Sequence, residues 1–410
     1  MSSDRAETEG YFTELRLFLE SVCCDLCRFQ HVVVDGVPPR EVRIHQEVPV
    51  GERAFADIRV TVPGAPSYFV EVDYGYSAER ILESLRRKYG HDTPVSAEAS
   101  KVVLVADTSR HRSWKTVEAE ARGALRPGLP LEVWDEAHLR TLVRERFEVT
   151  LDSFDDSALL DLRLAIDRAK GRYAFGDAYT GDPLQATLLW HFGFWQLRQL
   201  AESARGTPRS ILPPGLYPGV IVIMADLASF SSYVRDTRDD EVIRQSLTSF
   251  SSKARYQIIN DGGMVYQFLG DAVIAFFGLP ARSDEDAGRA LECATALVDV
   301  GASVANEWQR QIDQVQTSAG VHVAITGGDL QILSLRPFSR THMGAIADSI
   351  NLAARLNSAA AAGEIVVSNV FYQRLPSKRR SEFQELEPVE ARNIGRVRAW
   401  KRAADSQRSG

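Results

Sequence analysis

The sequence predicts an α/β (α+β) protein with two domains and a helical connector between them. The chain has 410 residues, which is enough for two or three domains. Short runs rich in Val, Ile and Phe, typical of strands, alternate with segments whose apolar residues recur at helical spacing. The Pro- and Gly-rich stretch RGTPRSILPPGLYPG precedes the last set of strands. We therefore place the domains at 1–150 and 216–404, with the connector at 151–215.

The first domain is predicted to be mixed α/β. It begins with the helical pattern YFTELRLFLESVCCDLCRF, followed by the strand-like runs REVRIHQEVPV, AFADIRVTV, SYFVEVDYG and KVVLVAD. Helices are predicted at 78–89, 112–124 and 136–146, with the short strand LEVW between the last two. Cys24 and Cys27 form a CxxC without a second pair or a spaced His, so we expect buried thiols rather than a zinc site.

The connector and the second domain follow the same logic. DDSALLDLRLAIDRAKGRYAF and DPLQATLLWHFGFWQLRQLAESA each carry an apolar stripe and are predicted to be helical. The second domain then shows, in order, the strand GVIVIMAD, a helix from LASFSS onward, the hairpin MVYQFLGDAVIAFFG, a long helix, the strands SAGVHVAITGG and RTHMGAIAD, the helix DSINLAARLNSAA and the strand EIVVS.

Composition excludes several classes of function. The formal net charge of -7 and a pI of about 5.7 argue against a dedicated nucleic-acid-binding surface. No apolar run reaches the ~20 residues of a membrane span, and the polar N-terminus does not resemble a signal peptide. Four cysteines do not suggest a disulfide framework, so we expect a cytoplasmic location.

Acidic and polar residues in the second domain form a pattern that suits phosphate chemistry. Asp226 ends an apolar strand, and Asp271 sits at the tip of a predicted hairpin, where two carboxylates can share hard cations such as Mg²⁺ or Mn²⁺. The small residues of LASFSS open a helix whose free N–H groups can hold phosphate oxygens. Asn351 and Arg355 are four residues apart and share one helix face.

These segments resemble the class III nucleotidyl cyclases, the adenylate and guanylate cyclases. The resemblance covers about 216–402 and rests on VIMADLASFS, VYQFLGDAVIAFFG, VHVAITGG, ADSINLAARLNSA and RNIGRVRAWK. It implies a ferredoxin-like domain that forms a head-to-tail homodimer with active sites at the interface. It also implies attack of the ribose 3′-oxygen on the α-phosphate of a nucleoside triphosphate, with pyrophosphate leaving and two metal ions assisting.

The resemblance assigns a role to each matching position. The implied residues are Asp226, Asp271 and the Leu227 carbonyl for two Mn²⁺ or Mg²⁺ ions, Asn351 for the ribose, Arg355 for the α-phosphate, and the backbone of Phe230 and Ser231 with Arg392 for the triphosphate.

Two base-binding positions depart from the adenylate cyclase pattern. Gln267 replaces the Lys that reads adenine, and Gly344 replaces its acidic or Thr partner. The altered positions resemble those of the pyrimidine cyclases of Pycsar antiphage defence, whose cyclic nucleotide activates a separate effector. We expect UTP as substrate and cyclic UMP as product. Cyclic CMP, cyclic AMP and a catalytically silent nucleotide-binding regulator remain as alternatives.

The first domain carries a shorter acidic pattern. Asp57, Glu71 and Asp73 resemble the core of restriction-endonuclease-like folds, in which an Asp is followed by Glu-x-Lys. Asp73 occupies the position of the Lys, so we expect no nuclease activity. An ordinary α/β domain with solvated acids at its strand ends explains the same residues, and a sensory role stays open.

Overall fold

A computed structural model describes residues 2–51, 54–91, 96–153, 156–203, 208–237, 239–312, 319–333, 344–391 and 395–402. The chain divides into two compact units. The first is formed by Met1–Ala169 and Glu241–Ser252, and the second by Lys170–Asp240 and Lys253–Arg408. None of the described helices is both long enough and apolar enough to cross a membrane.

The first unit contains a five-stranded mixed sheet in the order β1-β2-β3-β4-β5. Its strands are β1 Arg43–Gly51, β2 Ala54–Thr61, β3 Tyr68–Val72, β4 Val102–Val105 and β5 Leu131–Trp134. The first three strands pair antiparallel, and β3, β4 and β5 pair parallel. Every strand predicted here is present. β5 coincides with its predicted run, β1 is shifted to Arg43–Gly51, and β2, β3 and β4 are shorter than their predicted runs.

Helices cover this sheet. They are α1 Ser2–Arg28, α2 Ala78–Tyr89, α3 Trp114–Ala124 and α4 Glu136–Phe147, and a π-helical turn at Phe29–Val34 continues α1. On one face, Ile81 and Leu85 of α2 and Ala121 of α3 pack against Phe69 and Leu104 of the sheet. The cysteines of α1 are buried free thiols, as the sequence predicted.

The end of β3 carries a buried cluster of ionisable side chains. Lys88 of α2 pairs with Glu71, and its Nζ lies 3.3 Å from Oδ1 of Asp57. Tyr89 donates its hydroxyl proton to the other oxygen of Glu71. Asp73 is 3% exposed, and its Oδ2 has no hydrogen-bond partner within the described residues. The expectation of solvated acids is therefore wrong for Glu71 and Asp73, and a lysine does reach the carboxylates, from a helix rather than from the strand.

The connector is helical, but it contains one more break than the sequence suggested. Its helices are α5 Asp156–Phe175, α6 Pro183–His191 and α7 Phe194–Ser203. Phe192 is extended, with φ -127° and ψ 157°, and Gly193 separates α6 from α7. A Cβ on Gly193 would lie 2.6 Å from the ring of Trp195, so this tight break requires glycine.

The second unit is built on an eight-stranded sheet in the order β12-β15-β11-β9-β6-β8-β7, with β10 paired to β9. Its strands are β6 Gly215–Ala228, β7 Met264–Leu269, β8 Ala272–Phe277, β9 Gly320–Leu333, β10 Gly344–Ile346, β11 Ile365–Ser368, β12 Gln384–Glu385 and β15 Ala399–Arg402, and a separate hairpin pairs β13 Val389–Ala391 with β14 Gly395–Val397.

The helices of this half of the chain complete the βαββαβ order. They are α8 Phe230–Asp236, α9 Asp240–Asn260, α10 Asp286–Ile312, α11 Asp348–Ser358, α12 Asn369–Tyr372 and α13 Ser377–Arg380. The core strands run β9-β6-β8-β7, which is fourth, first, third and second in chain order, and all neighbours are antiparallel. This arrangement confirms the predicted ferredoxin-like fold. The helix expected from LASFSS onward is two helices, α8 and α9, rather than one.

Candidate active site

Asp226 lies inside β6 rather than at its end. The strand continues for two residues because Leu227 and Ala228 pair with Val321 and Gly320 of β9. The partly exposed Asp226 interrupts the buried apolar run, which is why the sequence suggested a strand end there, but Leu227 and Ala228 beyond it are buried and still paired. Asp226 is therefore held by neighbouring strands on both sides.

The hairpin between β7 and β8 brings the second carboxylate to the same place. Gly270 has φ +64°, a conformation that suits glycine and allows a two-residue turn between Leu269 and Ala272. Asp271 follows Gly270, and its carbonyl accepts a hydrogen bond of 3.3 Å from the backbone N–H of Leu227. Because Asp226 pairs with Ala272, Asp271 lies in the turn immediately before the residue opposite Asp226.

The environment of Asp271 disfavours its charged form. Burial and the neighbouring Asp226 raise the pKa of Asp271. Oδ1 of Asp226 is buried without a hydrogen-bond partner among the described residues. A divalent cation would balance both charges and engage this orphaned oxygen.

The donor set fits Mg²⁺ or Mn²⁺. The described residues contain no group of three or more His, Cys, Asp or Glu side chains placed to hold a metal. Mg²⁺ is commonly bound through one or two carboxylates, with water and substrate phosphates completing its shell, rather than by an all-protein cage. Asp226, Asp271 and the Leu227 carbonyl would supply the protein's share of such a shell.

His322 is a residue at this site that the sequence reasoning missed. It pairs directly with Asp226 across β6 and β9, and its Nε2 lies 3.3 Å from Oδ2 of Asp226. Residues directly opposite each other in a sheet project to the same face. The strand VHVAITGG contained this histidine, but its register against GVIVIMAD was needed to place it beside the carboxylate.

The turn that follows β6 exposes backbone donors. Ser229 has φ +62°, and its carbonyl accepts from the N–H groups of Ser232 and Tyr233 at 3.0 Å each. Phe230 and Ser231 are the first residues of α8, where helix N–H groups have no intrahelical acceptor. These are the two positions at which the resemblance implies triphosphate binding.

An aromatic stack fixes α8 to α10. The rings of Tyr233 and Trp308 are 4.7 Å apart and nearly parallel, and the Phe230 ring lies 5.9 Å from Trp308. Trp308 and Tyr233 are fully buried. The side chain of Phe230 is therefore part of the core, and only its backbone is available to a ligand.

The two candidate base-binding residues lie beside a hydrogen bond between strands. Tyr266 is the residue where the pairing of β7 with β8 shifts register, and its hydroxyl accepts a 3.1 Å hydrogen bond from the N–H of Ala345 in β10. Gln267 follows Tyr266, and Gly344 precedes Ala345. The ring of Tyr266 stacks on Phe276 at 4.9 Å, which fixes the hydroxyl that holds β10.

Residues 213–401 match the family model described as "Adenylate and Guanylate cyclase catalytic domain". This segment is a nucleotide cyclase catalytic domain. No curated protein matches the chain.

Several solved cyclase structures are similar to the chain. The adenylyl cyclase CyaB from P. aeruginosa is 20% identical, with 48% of this chain and 100% of the other covered and a TM-score of 0.41. The guanylyl cyclase Cya2 is 19% identical, with 48% and 98% covered and a TM-score of 0.41. The guanylate cyclase domain of RhGC from Catenaria anguillulae, in complex with GTP, is 19% identical, with 46% and 98% covered and a TM-score of 0.36.

Within the cyclase domain, the predicted site residues fall into separate groups. Asn351 and Arg355 are exposed on one face of α11, while Leu352 and Leu356 on its other face are buried. No hydrogen bond or ion pair among the described residues joins Asn351 or Arg355 to the two aspartates. Arg392 lies outside the described residues.

Proposed function

We propose that the protein is a uridylate cyclase that converts UTP to 3′,5′-cyclic UMP and pyrophosphate. The cyclase domain supplies the class of reaction. The observation that carries the choice of base is the pair of Gln267 and Gly344, which lie next to the Tyr266–Ala345 hydrogen bond. In the adenylate cyclases that the domain resembles, a lysine ammonium and an acidic or Thr partner recognise adenine. Gln267 and Gly344 provide neither group.

The resemblance to the pyrimidine cyclases supports a pyrimidine, and the chemistry of Gln267 is compatible with uracil. The amide of Gln267 both donates and accepts hydrogen bonds, so it can pair with an edge that presents a carbonyl beside an N–H, as uracil and guanine both do. A site that hydrogen-bonds one edge rejects other bases because their edges leave buried polar groups unpaired. CTP is the next candidate, since cytosine keeps the O2 carbonyl of uracil and differs at two positions, where an amino group replaces O4 and an unprotonated N3 replaces N3–H. ATP follows.

The aspartates are proposed to bind two Mn²⁺ or Mg²⁺ ions. Such ions, when bound, lower the pKa of the ribose 3′-hydroxyl and neutralise the triphosphate. Asp226 and Asp271 hold the reacting end, and the N–H groups of Phe230 and Ser231 bind the outer phosphate oxygens. Arg392 is proposed to add positive charge to the triphosphate.

Asn351 and Arg355 are proposed to act on a nucleotide held by the aspartates of a second subunit. Their exposure on α11, and the lack of a hydrogen bond or ion pair between them and the aspartates in the described chain, support a site completed by a homodimer. Asn351 would orient the ribose, and Arg355 would stabilise the charge that develops on the α-phosphate.

The proposed biological role is in antiphage defence. The resemblance to Pycsar cyclases suggests a second messenger that is made in the cytoplasm and activates a separate effector during phage infection. No part of this role depends on nucleic-acid binding or on a membrane.

The direct test is incubation of the full-length protein with each of the four nucleoside triphosphates and Mn²⁺, with product identification by mass. We expect cyclic UMP, with the highest kcat/KM for UTP and no product from the Asp271→Ala variant. A higher kcat/KM for ATP than for both pyrimidine triphosphates would refute the choice of base and leave the cyclase reaction intact. No cyclic product from any of the four would refute the enzyme and favour the silent nucleotide-binding regulator.

A further inference from the structure

The first unit contains a cavity of about 240 Å³ that the cyclase chemistry does not use. It lies on the side of the sheet opposite the core of α2 and α3, where Tyr68 and Trp134 project from β3 and β5. Helix α4 contributes His138 and Arg146, and the π-helical turn after α1 contributes His31. All of these elements belong to the same compact unit.

The π-helical turn positions a polar chain along one wall. Nδ1 of His31 lies 2.8 Å from Oδ2 of Asp35, so this nitrogen carries the proton that the carboxylate accepts. Nε2 of the same ring lies 2.9 Å from the hydroxyl oxygen of Tyr68, within hydrogen-bond distance. Gln30 in the same turn accepts a 2.6 Å hydrogen bond from Nη2 of Arg146. π-helical turns occur often at functional sites because the extra residue re-aims the side chains around it.

The opposite wall is also organised by hydrogen bonds. Lys101 donates to Oε2 of Glu132 at 2.5 Å, and the indole N–H of Trp134 donates to Oε1 at 2.7 Å. Burial would raise the pKa of Glu132, but these two hydrogen bonds outweigh it and the pKa is lowered. The ring of His138 lies 5.9 Å from that of Trp134. Both oxygens of Glu132 are occupied, so this carboxylate orients the indole.

The charge of the lining favours an anion. Lys101 and Arg146 are cationic, and Glu132 is the one carboxylate among the described lining residues. Asp35 and Glu145 stand nearby, but their side chains are 39% and 48% exposed, so solvent screens them. Arg146 presents a planar fork of donors suited to a carboxylate or a phosphate.

The size of the cavity limits the ligand to a single ring. An apolar cavity of about 150 Å³ accommodates benzene, so 240 Å³ leaves room for a ring and one substituent. It is smaller than the roughly 300–1,000 Å³ of pockets that hold drug-sized molecules, so it is too small to enclose a nucleoside triphosphate. Trp134 and Tyr68 provide aromatic surfaces for the ring, and Leu26 and Leu142 complete the apolar lining.

We propose that this cavity is a binding site for a small aromatic anion. The ring would pack against Trp134, and its carboxylate or phosphate would be bound by Arg146 and Lys101. Glu132 would hold Trp134 and Lys101 in position, and the His31–Tyr68 pair would close the remaining wall. The proposal concerns binding by the first unit and does not depend on which base the cyclase domain uses.

Calorimetric titration of the full-length protein tests this site. The probes are phenyl phosphate and benzoate, which combine a ring with each kind of anion, together with inorganic phosphate and phenol, which separate the two features. We expect saturable binding of at least one combined probe, about tenfold or more tighter than inorganic phosphate or phenol. Comparing phenyl phosphate with benzoate distinguishes a phosphorylated ligand from a carboxylated one.

Variants assign the binding to the cavity. Arg146→Met should weaken the tighter combined probe about tenfold, and Arg146→Lys should weaken it less because the charge remains. Arg87→Met is the matched control, since Arg87 is exposed on α2 away from the cavity. Trp134→Leu should reduce the ratio of the affinity for the combined probe to that for inorganic phosphate, and Trp134→Phe should retain most of this ratio. Circular dichroism and thermal unfolding identify any variant that fails to fold. If Arg146→Met or Trp134→Leu does not fold, the binding measured with Arg146→Lys or Trp134→Phe tests the site instead.

Three results would overturn the proposal. One is that neither combined probe saturates the protein up to about 10 mM, a concentration above the weakest dissociation constant expected for so small a ligand. A second is equal binding by the folded Arg146 and Arg87 variants. A third is loss of probe binding in Asp271→Ala, which would locate the probe in the cyclase domain. Failure of UTP cyclisation would leave all three measurements unaffected.

Discussion

Replacing Asp73 with Asn should remove a pH dependence of stability from the first unit. Burial raises the pKa of Asp73 to about 7. Asn has the shape of the protonated carboxyl group and no charge to desolvate. Wild-type Asp73 must either bind a proton or remain charged in a buried position, and the balance between these states changes with pH.

The magnitude follows from the difference between the folded and unfolded states. A rise of the pKa from 3.8 to about 7 spans about three pH units, which correspond to about 4 kcal/mol at roughly 1.4 kcal/mol each. Because the folded pKa is the higher one, this stabilisation is fully present below about pH 4 and is lost as the pH rises through about 7. Between pH 4 and pH 8 the wild type should lose up to about 4 kcal/mol that Asp73→Asn retains.

Native-state hydrogen exchange, read by mass spectrometry on peptides that cover β3 and β4, measures this unit inside the full chain. Asp107→Asn is the matched control, because Asp107 is also buried at the end of a parallel strand and its Oδ1 accepts a 2.7 Å hydrogen bond from Ser109. An equal loss of protection with rising pH in Asp73→Asn and the wild type, after correction for intrinsic exchange, would show that Asp73 is not the titrating group.

Four further predictions test the remaining sites. Asp226→Ala and Asp271→Ala should abolish cyclisation without unfolding the domain, since each removes a charged metal ligand, and undiminished wild-type turnover in EDTA would contradict this. Mixing the inactive Asp226→Ala and Arg355→Ala proteins should restore activity through one complete site per mixed dimer; no rescue after confirmed subunit exchange would count against the shared site. Gln267→Ala should reduce discrimination between UTP and CTP more than total turnover, as measured by kcat/KM for each. Lys88→Met should destabilise the first unit by about 3–5 kcal/mol in urea titrations, because it leaves buried carboxylates without their cation, and a loss below about 1 kcal/mol would refute that role.

Lys88 shows one limit of prediction from sequence. A search for a lysine two residues after Glu71 finds Asp73, which suggested that no cation reaches the carboxylates. The cation is Lys88 of α2, which lies 17 residues after Glu71 in the chain. Such a contact depends on how a helix packs on a sheet, and neither periodicity nor spacing within a strand contains that information.

Local sequence patterns predicted the helices and strands better than they predicted the contacts between them. The strands and helices of the ferredoxin-like core follow from apolar periodicity, and the Gly270 turn follows from the hairpin pattern. The position of His322 beside Asp226 depends on strand register, and the break at Gly193 depends on the ring of Trp195 filling the space beside it. Both are tertiary effects, which a local sequence pattern does not contain. The fold class could therefore be predicted from the sequence, whereas the contact of His322 with Asp226 could not.

The stack of Phe230, Tyr233 and Trp308 has a consequence for protein engineering. Helix α10 contains 27 residues and is therefore about 40 Å long, and Trp308 lies in its last two turns. Exchange of α10 between related domains would also exchange the support of the turn that carries the Phe230 and Ser231 amides. A chimaera should therefore take α8 and α10 from the same parent, so that the stacked rings of Tyr233 and Trp308 remain matched. A designer who preserves only the acidic residues would keep the carboxylates and lose the alignment of the donors beside them.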